Sequence, residues 1–89
     1  MAWKRVLDTT QDSPSDEFVS LSGQMHAVCD THAGGDWTLE FKSPGEEWVA
    51  IDDVVFDDED SYRFFPPQGA TMRFTGGTTG ARIYVNGTQ

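Results

Sequence analysis

Three groups of side chains in this sequence have the types and spacing from which chemistry is made. Asp57-Asp58-Glu59-Asp60 sets four carboxylates in a row, and clustered oxygens are what a hard cation such as Ca²⁺ requires. His26-x-x-Cys29-x-x-His32 offers soft nitrogen and sulfur donors. Gly76-Gly77-Thr78-Thr79-Gly80 has the glycines of a phosphate-cradling loop. Each falls short in a specific way. An EF-hand loop counted from Asp57 needs Gly and Glu where this chain has Tyr62 and Gln68. A strand puts His26 and Cys29, three positions apart, on opposite faces, and no fourth ligand follows at a zinc spacing. A nucleophilic Cys29 would need a depressed thiol pKa and an oxyanion hole, and neither has a signal here. The glycine loop lacks the Lys-Ser/Thr pair of a P-loop and leads into a strand, not a helix. Asp52-Asp53 has the residue type of a glycosidase pair, but nothing marks one carboxyl as buried. The expectation is therefore an absence of catalytic, metal-binding and cofactor-binding residues. The acids of 57–60 are expected at the wet tip of a hairpin, where charge deters edge-to-edge pairing.

The elements that would position these groups are strands. No stretch keeps apolar residues at helical spacing for three turns, whereas period two recurs. Trp37, Leu39 and Phe41 alternate with Thr38, Glu40 and Lys42, the pattern of a sheet with one wet face. Ser43-Pro44-Gly45-Glu46 fits a type II turn, with positive φ at Gly45, and Glu47–Ile51 returns as the second arm. Further strands are predicted at 18–21, 24–30, 54–56, 62–65, 70–75 and 81–86, with 54–56 and 62–65 paired across the acidic stretch. Asp52-Asp53 is expected to close the 48–51 strand, and Pro66-Pro67 to stop the strand before it. Seven to eight short strands at this spacing predict an all-β fold, an antiparallel β-sandwich or small jelly roll. Residues 18–89 form its single domain. Residues 1–17 read as an arm or loop with a possible first strand at 3–7, because 8–17 is polar and holds no apolar residue.

Eighty-nine residues at a net charge of −9 narrow the partners. The six basic residues are scattered singly, so no stripe exists to neutralise phosphates, and direct nucleic-acid or anionic-membrane binding is not expected. One cysteine excludes an internal disulfide. No apolar run reaches the length of a membrane span or a signal peptide, so folding in a cytoplasm is expected.

Several strands carry apolar residues on both faces: Trp48 beside Val49, Val54 beside Val55, Phe64 beside Phe65, Ile83 beside Tyr84. A two-layer fold has one inner face per sheet, and a chain this short has little spare length with which to cover the surplus. Trp3, Trp48, Phe64, Phe65 and Tyr84 are therefore expected to supply a partner or oligomer interface.

The run WTLEFKSPGEEWVAIDDVVF, followed by SYRFFPPQGATMRFTGGTTGARIYVNG, resembles small virion proteins of tailed bacteriophages encoded near the capsid genes. The shared pattern is a Trp strand, a Pro/Gly turn, a second Trp strand, an FF-x-P-x-G-like step, an Arg-bearing strand and a last Gly–Ala–apolar strand, over residues 37–87. The resemblance implies a capsid decoration or cement protein, or a head–tail accessory protein. It would be made in the host cytoplasm and carried in the virion, bound to the major capsid protein or another virion protein, as a homo-oligomer with a trimer favoured. A receptor- or glycan-binding module of a fibre or tail is the alternative, with Trp48 or Tyr84 stacking on sugar.

Overall fold

The structure is a computed structural model that describes residues 2–88. Its strands are β1 (Lys4–Leu7), β2 (Phe18–Val19), β3 (Met25–Thr31), β4 (Trp37–Lys42), β5 (Trp48–Phe56), β6 (Asp60–Phe64), β7 (Thr71–Thr75) and β8 (Arg82–Asn86), with no helix among the described residues. They form two antiparallel four-stranded sheets, A in the order β1-β8-β3-β6 and B in the order β2-β7-β4-β5.

The wiring follows one rule. β1 pairs with β8, β2 with β7, β3 with β6 and β4 with β5. The whole chain is thus one long hairpin folded at residues 43–46 and then rolled. Rolling sends successive pairs to alternate sheets and adds the contacts β3–β8 and β4–β7. This is jelly-roll connectivity, one of the arrangements expected from the sequence.

Period-two patterning decides what is buried. Met25, Ala27 and Cys29 of β3 lie inside, as do Trp37 and Leu39 of β4 and Ile83 and Val85 of β8. The rings of Phe18, Phe56 and Phe74 form a run through the centre, with centroids 5.8 and 5.5 Å apart.

Four local expectations are corrected. First, 54–56 and 62–65 are not hairpin partners. β5 ends sheet B, β6 ends sheet A, and residues 57–59 turn the corner between them. The crossing lets the Phe56 and Tyr62 rings meet edge-on across the layers at 5.2 Å, whereas hairpin partners would lie side by side in one sheet. Second, Asp52-Asp53 does not end a strand. Thr38 faces Val55 while Leu39 faces Ile51, so 52–54 form a bulge inside β5, which bends there. Third, the tight turn carries its positive φ at Glu46 (65°) and not at Gly45. Glu46 N–H donates to Ser43 O, and Ser43 N–H donates to Glu47 O, both at 2.8 Å. That is a type I turn closed by a bulge residue, the usual three-residue hairpin geometry. Fourth, the segment 8–17 is neither a separate arm nor loose. Asp16 N–H donates to Val6 O, Ser15 N–H donates to Phe74 O, and Ser15 Oγ accepts from Phe74 N–H, so residues 4–17 belong to the sandwich.

Candidate functional site

The three chemical groups are each absorbed by the fold. Cys29 is buried, its thiol donates to Thr31 O at 3.2 Å, and desolvation by burial pushes its pKa up, away from a thiolate. His26 lies on the opposite face under the Trp3 ring, with centroids 5.5 Å apart. His32 is held in its turn by a contact from Nε2 to Gly35 O at 2.8 Å. Among the described residues no three His, Cys, Asp or Glu side chains converge on one point. In the acidic corner, Asp58 and Asp60 each accept a bond from the next residue's N–H at 2.8 Å, which is turn chemistry. In the glycine loop, a Cβ on Gly77 would lie 2.1 Å from the Trp37 indole nitrogen. Its absence lets the loop lie flat on that ring. Thr78 Oγ1 donates to Gly34 O at 2.9 Å, tying the loop to the turn before β4.

The five aromatic residues expected at an interface do not form one patch. Phe64 faces the core opposite Met25 and is only 7% exposed. It is a core ring that also backs a surface groove. Phe65, one step beyond the strand, is 72% exposed. Trp48 lies on the outer face of sheet B, where the Arg73 guanidinium stacks 4.0 Å from its ring centroid and Lys42 approaches at 5.7 Å. Arg73 is itself fixed by Glu40 at 2.9 Å. Trp48 is thus one plate of a cation–π stack, not a bare platform for a sugar. Trp3 and Tyr84 meet on the outer face of sheet A, where with Val28 they line a shallow apolar hollow. Two surfaces result: the outer face of sheet A, and the rim around Phe65.

The rim is the open edge of the sandwich. Tyr62 O–H donates to Val55 O at 2.9 Å and stitches β6 to β5 near the acidic corner. Toward the other end of β5 no hydrogen bond among the described residues crosses between the two sheets. There Val49 and Ile51, which share the inner face with Phe41 and Leu39, emerge at the surface, and Val49 is 42% exposed. Phe41, Ile51, Phe64, Phe65, Pro66 and Pro67 line an apolar groove of about 170 Å³. Its far wall is held by Ser20. This buried hydroxyl donates to Pro67 O at 2.5 Å and accepts from Ala70 N–H at 3.0 Å. Neither proline of that wall can donate to a sheet ladder. A larger hollow, about 520 Å³, lies at the end of sheet A beside Leu21, His26 and Arg63, with mixed polar walls.

Charge separates the same two surfaces. Residues 46–60, which are β5, its flanking turns and the first residue of β6, hold eight of the fifteen acids and none of the six bases. That stretch is therefore −8, and the rest of the chain, with seven acids and six bases, is −1. Among the described residues the ion pairs are Arg73–Glu40 and Arg82–Asp30. Lys4, Arg5 and Arg63 have no such pair and are exposed on sheet A. Arg5 lies opposite Tyr84, and Arg63 opposite His26.

Sequence reasoning missed the serines that fix this geometry. Ser15 and Ser20 are buried, at 5% and 0% exposure, but Ser15 sits in the polar stretch 8–17 and Ser20 within the predicted strand 18–21, and nothing in either marks a structural hydroxyl. It also missed the charge asymmetry between the two edges, which depends on knowing that 46–60 runs along one side. No protein-family model, curated protein or solved structure matches the chain.

Proposed function

We propose that the chain is a non-enzymatic structural protein of a bacteriophage virion, a decoration or cement protein that binds the head shell and stabilises it. The observation that carries the binding role is the open edge. An apolar groove, an exposed Phe65 and the unpaired side of β5 lie together, and no other part of the described chain covers them. An apolar groove with an exposed ring at its rim is suited to a protein contact. The phage assignment rests on the likeness of residues 37–87 to small virion proteins. Binding only the assembled shell stabilises that shell by mass action.

The test is co-sedimentation of the purified protein with phage heads that lack it, followed by a heat challenge. Bound protein and a raised temperature of head disruption are expected. Heads that neither bind the protein nor gain stability overturn the reading, and a reproducible signal on a glycan array in that case moves the protein to the fibre or tail class.

A further inference from the structure

We infer that this protein assembles head to tail with copies of itself, the outer face of sheet A of one copy docking on the open β5 edge of the next. Three observations lead there. The β5 edge has an unpaired strand and an apolar groove, features that favour association. Its charge of −8 forbids the symmetric solution, because two such edges brought together would set sixteen carboxylates against each other. The complementary surface is on the same molecule. The outer face of sheet A carries Trp3 (45% exposed), Tyr84 and Val28 beside Arg5, which lies opposite Tyr84, and Arg63, which lies opposite His26, an apolar patch rimmed by positive charge.

The two surfaces are different patches, so the contact is heterologous and closes into a ring or extends as a filament. The area suffices. A stable contact takes about 800 Å² per partner, roughly a sixth of the chain's 4889 Å², and each copy has room for one on either side.

The electrostatics set a salt window. At about 0.15 M salt the screening length is ~8 Å, so a copy senses the local positive face and little of its neighbour's remaining charge. At about 0.01 M the screening length reaches ~30 Å, the full 31 Å extent of the molecule. Repulsion between whole copies of charge −9 then opposes assembly. Association is strongest near physiological salt and falls off on dilution of the salt. A purely apolar contact does not behave this way, and a simple ion-pair contact only strengthens as salt is removed.

The experiment is light scattering with sedimentation velocity at about 100 μM chain, on wild type, Arg5→Glu/Arg63→Glu, Val49→Arg/Phe65→Arg, and an equal mixture of the two variants. The wild type is expected above the 9.9 kDa of one chain, each variant as a single chain, and the mixture as a two-chain species. In that mixture one intact face meets one intact edge and growth stops. All four substituted side chains are exposed, and the near-ultraviolet dichroism of buried Trp37 verifies that each variant is folded. If an Arg variant loses that signal, Val49→Ser/Phe65→Ser takes its place. A single-chain wild type overturns the inference, as does a variant that still assembles or a mixture that stays single-chain. This inference is separable from the capsid reading: a chain that assembles but ignores phage heads keeps the one and loses the other.

Discussion

The two sides of the sandwich treat their edge strands differently. On the β1/β2 side the chain covers itself. Residues 12–16 run along the edge, Ser15 bonds to Phe74, and Ser13 Oγ accepts from Gly76 N–H at 3.0 Å. On the β5/β6 side the sheets are joined at the acidic corner, by residues 57–59 and the Tyr62–Val55 bond, and the rest of the edge holds exposed Val49 and Phe65. Unpaired strand edges invite association, and proteins suppress it either by covering them or by charging them. This chain uses its limited length to cover one side and charge to restrict the other. Charge repels like edges while leaving the surface open to a partner of opposite sign, so the second device selects a contact and does not abolish it.

The contrast is sharpest in a pair of phenylalanines. Phe18→Ala, on the covered side at 2% exposure and stacked on Phe74, is expected to cost about 3–5 kcal/mol of folding stability. That is a large share of the ~5–13 kcal/mol available to a chain of this size. Phe65→Ala on the open side is expected to stay within about 0.5 kcal/mol. Urea unfolding of both reads the difference, and equal losses would dissolve the comparison.

Ser15→Ala comes next. The hydroxyl accepts from Phe74 N–H at 2.9 Å and donates to Asp16 O at 3.0 Å. Its removal leaves a buried N–H unpaired, at a cost of about 1–3 kcal/mol. The same urea series measures it, with an unchanged midpoint counting against the role assigned to the covering segment. Glu46→Gly has the opposite sign. A non-glycine residue held at φ 65° gives way to one with no steric penalty there. A gain of about 0.5–1 kcal/mol is expected, less whatever glycine adds to the freedom of the unfolded chain. A higher melting temperature confirms it.

The smallest effect is on acid stability. Hydrogen bonding from Arg82 lowers the Asp30 pKa below its ordinary 3.8. A carboxyl whose pKa is lowered in the folded state contributes stability above its unfolded pKa and loses it as pH falls through the folded value. Asp30→Asn is therefore expected to remove a small increment at pH 7 and none below both pKa values. Both side chains keep about 40% of their surface in solvent, so screening by 1 M salt is expected to shrink the difference at pH 7 further.

Most of the fold was legible because period-two burial is a local signal. Met25, Ala27 and Cys29, or Trp37 and Leu39, declare their faces within six residues. Which strand pairs with which was not legible beyond the 43–46 hairpin. Phe56 and Tyr62 satisfy the same alternation whether they are neighbours in a sheet or opposed across two. The sequence shows a surplus of apolar residues on paired faces, but not its distribution. Trp48 is covered by Arg73 and Tyr84 adjoins Trp3, both long-range encounters, whereas Val49 and Phe65 are left exposed. The turn type was misjudged because Pro-Gly favours one geometry locally, while strand twist selects another.

Folding a long hairpin in half has a further result. Lys4 lies opposite Val85 in adjacent strands of sheet A, so the two ends of the described chain emerge at one corner. A short linker joining them, with new ends opened between Pro44 and Gly45, would preserve the strand pairings while turning β1 and β8 from the most distant partners along the chain into neighbours. Such a rewired molecule would make the slowest pairing the easiest to form, and its refolding rate would report how far the wrapping order, rather than the packing itself, limits the approach to the native state.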